Sequence, residues 1–242
     1  MTSTSVQPSV FQRPGFRWDA HQAYLFDIDG TLLRCRDRIH VDAFLSSARA
    51  VMGCDFSLEG VVLSGNTDPG ILRDAFRIAN LEEALWQPHL ENILQQMRED
   101  VAARRGDFKI DKMPGVDRVL SYLHAKGAAL GLATGNLESI GWLKVEHLNL
   151  RPWFTFGGFS DRFHLRADMI AEAVRQARVL AGPQAAVCVV GDTPADIAAA
   201  RANAIPAIAV ATGNYTFEQL MDHQPDACAS NFLTLLEATR PA

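Results

Sequence analysis

Five short apolar runs in the second half of the chain, each followed by a helical pattern, restrict the fold more than any other feature. They are "AALGLAT" (128–134), "FTFGGF" (154–159), "AAVCVVGD" (185–192), "IPAIAVAT" (205–212) and "DACA" (226–229). Helical stretches fill the gaps at 137–148, 166–181, 194–203, 215–222 and 231–238. Strands apolar on both faces must be covered on both faces, and a strand–helix alternation does this in a parallel sheet. "AYLFD" (23–27) is one more such strand, yet the next begins only at Ala128.

The intervening segment follows a different period. Val41, Phe44, Leu45, Ala48, Val51 and Met52 recur at helical spacing, as do Leu72, Phe76 and Ala79, and then Leu90, Ile93, Leu94, Met97 and Val101. Asp68-Pro69 is a helix start with Pro just inside the cap, and "KMPGV" (112–116) marks the return. The expected fold class is α/β. A Rossmann-like parallel sheet core with helices on both faces takes residues 20–33 and 113–242, and an inserted α-helical cap domain takes 34–112. Residues 1–19 are polar, without an unbroken apolar stretch, and read as a flexible N-terminal arm rather than a signal peptide. No run is long enough to span a bilayer, so no membrane partner is expected.

Three strand ends carry chemistry, and in an open parallel sheet such ends face one crevice. They are Asp27-Ile28-Asp29-Gly30-Thr31, then Thr134-Gly135-Asn136, then Gly191-Asp192-Thr193-Pro194-Ala195-Asp196. D-x-D-G also opens an EF-hand loop, but there Gly is sixth and Glu twelfth. Here Gly30 is fourth from Asp27 and Arg38 twelfth, behind a strand. Several carboxylates in one crevice raise one another's pKa unless a cation neutralises them. All-oxygen ligands suit a hard ion such as Mg²⁺. A carboxylate can also attack phosphorus, with a second carboxyl protonating the leaving oxygen. Thr134 and the Gly135 and Asn136 amides, at a helix start, offer donors to phosphate oxygens.

These motifs resemble the haloacid dehalogenase superfamily of phosphatases, over 20–33 and 113–238, with the helical cap in the usual place. The resemblance implies Asp27 as nucleophile, Asp29 as general acid and base, and Thr134 as a phosphate-binding hydroxyl beside Gly30, Gly135 and Asn136. It implies Mg²⁺ held by Asp27, Asp192 and the Asp29 backbone carbonyl, with Asp196 in support, and a sheet with the first strand central. Asp29 favours phosphate esters over haloacids and phosphonates. The cap is similar to those of the phosphoglycolate phosphatase and β-phosphoglucomutase branch, which act on small phosphorylated metabolites. A phosphomutase and a non-catalytic binding protein are the rival functions.

One departure concerns the cation that the family places between its second and third motifs, often in a Lys-Pro pair. "SDRFHLRADMI" (160–170) stands there instead. Arg162, following the "FTFGGF" strand, is the expected replacement. Arg166 and Lys144 are alternatives, although Lys144 lies roughly 10 Å along its helix from the start at Leu137, counting 1.5 Å per residue. In the cap, "SGNT" (64–67) reads either as a turn and N-cap or as a loop dipping into the crevice. Arg73 and Arg77 read as a solvated face.

Composition limits partners and compartment. At 242 residues and 48% hydrophobic the chain can bury a large core. A net charge of -5 implies no basic face, so no nucleic-acid partner is expected. Cys35, Cys54, Cys188 and Cys228 form no CxxC pair, which points to a reducing, cytoplasmic setting. The sequence leaves the oligomeric state open.

Overall fold

Register in the central strands explains why the three motifs meet. In the computed structural model, which describes residues 9–238, Ala23–Phe26 forms β2, with all four residues buried. It follows a short strand β1 (Val10–Gln12) and precedes β3 (Leu33–Cys35). The remaining strands are β4 (Ile110–Lys112), β5 (Ala129–Ala133), β6 (Phe156–Gly158), β7 (Val187–Gly191), β8 (Ala207–Val210) and β9 (Ala227–Ala229). The main sheet has the order β1-β9-β8-β7-β2-β5-β6, parallel throughout except for β1. Thus β2 is central, between β5 and β7. Phe26 pairs with Leu132 on one side and Val190 on the other. The next residue on each chain leads directly into a motif.

Helices cover both faces, as runs apolar on both sides require. Alternation sends Tyr24 and Phe26 to one face and Ala23 and Leu25 to the other. The first face packs under α5 (Val116–Ala125) and α10 (Phe232–Glu237) through Val119, Leu120, Phe232 and Leu235. The second packs under α7 (Arg166–Ala181) and α8 (Pro194–Ala202) through Met169, Ala173, Ile197 and Ala200. The other core helices are α6 (Glu138–His147) and α9 (Phe217–Met221). Cys188 and Cys228 are fully buried in these layers.

The insertion holds α1 (Ile39–Met52), α2 (Asp68–Ile78), α3 (Glu83–Trp86) and α4 (Leu90–Ala103). Ala43, Phe44 and Ala48 of α1 are buried in the same apolar cluster as Ile93, Leu94, Met97 and Val101 of α4. The outgoing and returning chains pair as β3 and β4, antiparallel, with Leu33 opposite Lys112 and Cys35 opposite Ile110. This two-strand hinge is absent from the purely helical expectation for 34–112, because Leu33–Cys35 and Ile110–Lys112 mix charged and apolar residues without an apolar run.

Residues 9–19 correct the expectation of a loose arm. β1 pairs antiparallel with β9, Val10 opposite Ala229, and covers what would be an open sheet edge. Trp18 is 2% exposed, and its carbonyl accepts from Tyr24 Oη at 2.8 Å. Asp19 accepts from Tyr122 Oη and Lys126 Nζ. Residues 1–8 of the expected arm lie outside the described residues. Among the described residues no helix is long and apolar enough to cross a membrane.

Candidate active site

Asp27 leaves β2 with its amide still paired to Val190 O, at 2.9 Å, so its side chain emerges level with the ends of β5 and β7. The following turn requires glycine. Gly30 has φ +88°, and a Cβ there would collide with the Asp192 carboxylate. Thr31 Oγ1 donates to Asp192 Oδ1 at 2.8 Å, which ties the first and third motifs together, and Thr212 Oγ1, after β8, donates to Gly30 O at 2.6 Å. In the second motif, Thr134 Oγ1 accepts from the Asn136 amide at 3.3 Å and from Asn136 Nδ2 at 2.6 Å. Asp27, Gly30, Thr134, Asn136 and Asp192 border one cavity of about 390 Å³ between the sheet and the insertion.

Two buried cations stand in this cavity, on opposite sides of the β2 turn. Arg166, at the start of α7, places Nη2 3.1 Å from Asp27 Oδ1 and 2.6 Å from Asp196 Oδ1. The other oxygen of Asp196 accepts from Thr193 N and Oγ1, so this carboxylate fixes Arg166 and caps α8 at once. Lys144, on α6, places Nζ 2.7 Å from Asp29 Oδ2 and 2.7 Å from Asn136 Oδ1. The carboxylates divide accordingly. Burial pushes Asp27 up to about 6 despite Arg166, with Asp196 and Asp29 adding to the rise. Burial also pushes Asp192 up to about 8, helped by the charges of Asp27 and Asp196. Burial acts on Asp29 in the same sense, but Lys144's charge and hydrogen bond outweigh it and hold the carboxyl at about 2.

The family model for "Haloacid dehalogenase-like hydrolase" matches residues 24–210. The chain belongs to this family. A phosphoglycolate phosphatase of Agrobacterium fabrum is 26% identical over 216 residues, 88% of this chain and 90% of that protein. A second, from Mesorhizobium japonicum, is 29% identical over 119 residues, 49% of this chain and 52% of that protein. Among solved structures, a haloacid dehalogenase-like hydrolase of Streptococcus pneumoniae superposes with a TM-score of 0.61 at 21% identity, covering 91% of this chain and 99% of that one. A variant of CbbY from Rhodobacter sphaeroides, in complex with xylulose-(1,5)bisphosphate, gives 0.66 at 17% identity, covering 88% and 95%. With these relatives, the chain is a hydrolase of the phosphatase kind.

The structure brings together Asp27, Asp29, Gly30, Thr134, Gly135, Asn136 and Asp192 as cavity-lining residues, with Asp196 buried behind them. It does not bring Arg162. That residue is exposed, in the turn Ser160–Arg162, and does not line the cavity. Arg166 occupies the position beside Asp27 instead, and Lys144 reaches the site from α6. The distance argument against Lys144 fails because helical side chains lean toward the N-terminus of their helix, so a long lysine stem recovers much of the rise. Lining residues given no site role in the sequence include His40, Asp68 and Cys35. His40 and Asp68 stand 28 positions apart and meet at 3.1 Å only in the folded insertion. Cys35 donates its thiol to Asp29 Oδ1. In 64–67, Thr67 Oγ1 caps α2 by accepting from Gly70 N, and Ser64, Gly65 and Asn66 line the cavity. Arg73 and Arg77 pair with Asp74 and stay outside it.

A divalent cation fits the donor set. One oxygen each from Asp27, Asp192 and Asp196 lies within 4.8 Å of the others. Asp196 is spoken for by Arg166 and Thr193, whereas burial and the charges of Asp27 and Asp196 push Asp192 upward, a repulsion that a divalent cation would offset. The Asp29 side chain faces Lys144 rather than this cluster, which leaves only its backbone carbonyl for a metal.

Proposed function

We propose that this enzyme hydrolyses a small phosphomonoester through an aspartyl-phosphate, with Mg²⁺ held by Asp27, Asp192 and the Asp29 carbonyl. One observation carries the reading: a buried, cation-braced carboxylate, Asp27, faces Asp192 and the Thr134 turn across one cavity. An Asp27 oxygen attacks phosphorus, the ester oxygen departs with a proton from Asp29, and Asp27 is left as an acyl phosphate. Water, giving its proton to Asp29, then attacks phosphorus, which releases phosphate and restores Asp27. Asp29 is ionised in the present state, the form needed for the second half-reaction. Arg166 holds Asp27 in place, and Thr134 with the Gly135 and Asn136 amides holds phosphoryl oxygens. When bound, Mg²⁺ withdraws charge from the phosphoryl group and offsets the repulsion between Asp27 and Asp192.

The helical insertion is the cap over this site and selects the leaving group. The substrate is a small phosphorylated metabolite of the cytoplasm, in line with the phosphoglycolate and bisphosphate named for the relatives. The test is phosphate release from a metabolite panel with Mg²⁺, for wild type and Asp27→Asn. Removing a nucleophile typically costs about three orders of magnitude or more. Equal rates for the two proteins reject the mechanism, and a product that appears only with an added sugar acceptor replaces hydrolysis with phosphoryl transfer.

A further inference from the structure

Lys144 has no counterpart in the mechanism above, yet it is the most completely engaged cation in the cavity. It is 2% exposed, and its three ammonium protons have three acceptors: Asp29 Oδ2 at 2.7 Å, Asn136 Oδ1 at 2.7 Å and His40 Nδ1 at 3.1 Å. An ammonium has no acceptor atom, so Nδ1 of His40 accepts and its proton sits on Nε2. That Nε2–H donates to Asp68 Oδ2 at 3.1 Å. The same Asp68 oxygen accepts from the Leu137 amide at 2.8 Å, at the start of α6, and the Asp68 amide donates to Gly135 O at 2.8 Å. A core carboxylate is therefore joined to two cap helices by an unbroken chain, Asp29–Lys144–His40–Asp68, that returns to the core at Leu137.

Lys144 and Asn136 belong to the core, whereas His40 is on α1 and Asp68 on α2. With the cap displaced, Lys144 would lose one acceptor and Leu137 its partner, and both are buried groups for which an unmade bond is costly. Asp29, by contrast, opens onto the cavity, with its side chain 41% exposed. Its direction is set by Lys144, by Asn136 Nδ2 at 2.8 Å and by the Cys35 thiol.

We propose that Lys144, His40 and Asp68 form a clamp that orients Asp29 toward the leaving group only while the cap is docked on the core. Lys144 is then a positioning residue acting through Asp29. This rests on the phosphatase reading for the role of Asp29, but the coupling of cap to core does not.

Two readouts on full-length Lys144→Met and His40→Ala test the clamp. The first is phosphate release, with Mg²⁺, from 2-phosphoglycolate and from p-nitrophenyl phosphate. The alkyl ester needs a proton on its leaving oxygen and the nitrophenolate does not. Proton transfer by a positioned side chain is worth about 10²–10⁴-fold, so kcat on the alkyl ester should fall roughly 10-fold or more in both variants while kcat on the aryl ester changes far less. The second is amide hydrogen exchange of the metal-free protein, which should accelerate at Leu137 and across residues 64–70 in both variants. Equal losses on the two esters, or exchange unchanged at those amides, overturns the clamp. A wild type that hydrolyses neither ester contradicts the phosphatase reading instead, and the exchange result still decides the coupling. His40 is half-buried near the start of its helix, so His40→Ala keeps the test in hand should Lys144→Met fail to fold.

Discussion

Gly135 shows how much of the site depends on a missing side chain. A Cβ at this position would collide with the Asn66 carbonyl oxygen, so the loop of the insertion touches bare backbone at the turn after Thr134. Gly135→Ala should therefore lift the loop without unfolding the sheet. Misplacement by about 1 Å can cost on the order of 10²-fold in rate, and kcat/KM measured beside an unchanged circular dichroism spectrum is the check. The raised carboxyls give a second expectation, with a definite sign. Burial and neighbouring carboxylates push Asp192 and Asp27 in the metal-free protein well above the value of about 3.9 for an ordinary aspartate, toward neutral pH. Across that window the folded protein binds more protons than the unfolded chain, so metal-free stability falls as pH rises. Mg²⁺ replaces those protons. Its gain in melting temperature over EDTA should be larger near about pH 8.5 than near about pH 5.5, and an equal gain would remove the link between these carboxyls and the metal. The carboxylates themselves were legible because each sits where an apolar run stops. The cations were not, because Arg162, Lys144 and Arg166 look alike as letters, and only the lean of a helical side chain and the buried acceptors near it tell them apart.

Elements were legible where a helical period or an apolar run marked them. The expected helix at 166–181 is α7 to the residue, and those expected at 194–203 and 137–148 match α8 and α6 to within a residue at each end. Long periodic stretches average out local exceptions, and their start signals are explicit: Thr193 accepts from the Asp196 amide in a capping box with Pro194 just inside. By contrast β1, β3 and β4 lie outside any apolar run with a helix behind it, the signal that revealed the equally short β6 and β9. The arm that carries β1 is structural. Trp18 packs beside Tyr122, with ring centroids 5.7 Å apart, and Trp18→Ala should cost about 3–5 kcal/mol by denaturant unfolding, the usual range for a buried tryptophan. A loss below about 1 kcal/mol would mean that the arm is only draped over the core.

At the scale of the molecule, the sheet order and the insertion act together. With β2 central, its carboxyl end is flanked by the ends of β5 and β7, the place where an open α/β sheet binds ligands. The insertion leaves immediately after that strand and folds back over it, held by contacts that no local pattern encodes. Thr67 Oγ1 donates to His164 O at 2.9 Å, Asn214 Nδ2 to Ser64 Oγ at 2.8 Å, and Arg98 pairs with Asp161 at 2.9 Å. Each partner lies far away in sequence, which is why the cavity's wall was legible as two halves but not as a closed chamber. The chemistry assigned to that chamber has one direct measurement. Borohydride added during turnover of p-nitrophenyl phosphate with Mg²⁺ reduces an acyl phosphate to the alcohol, so mass spectrometry should find homoserine in place of aspartate at position 27 and nowhere else. Turnover that leaves Asp27 unmodified, or marks a different carboxylate, contradicts the aspartyl-phosphate mechanism.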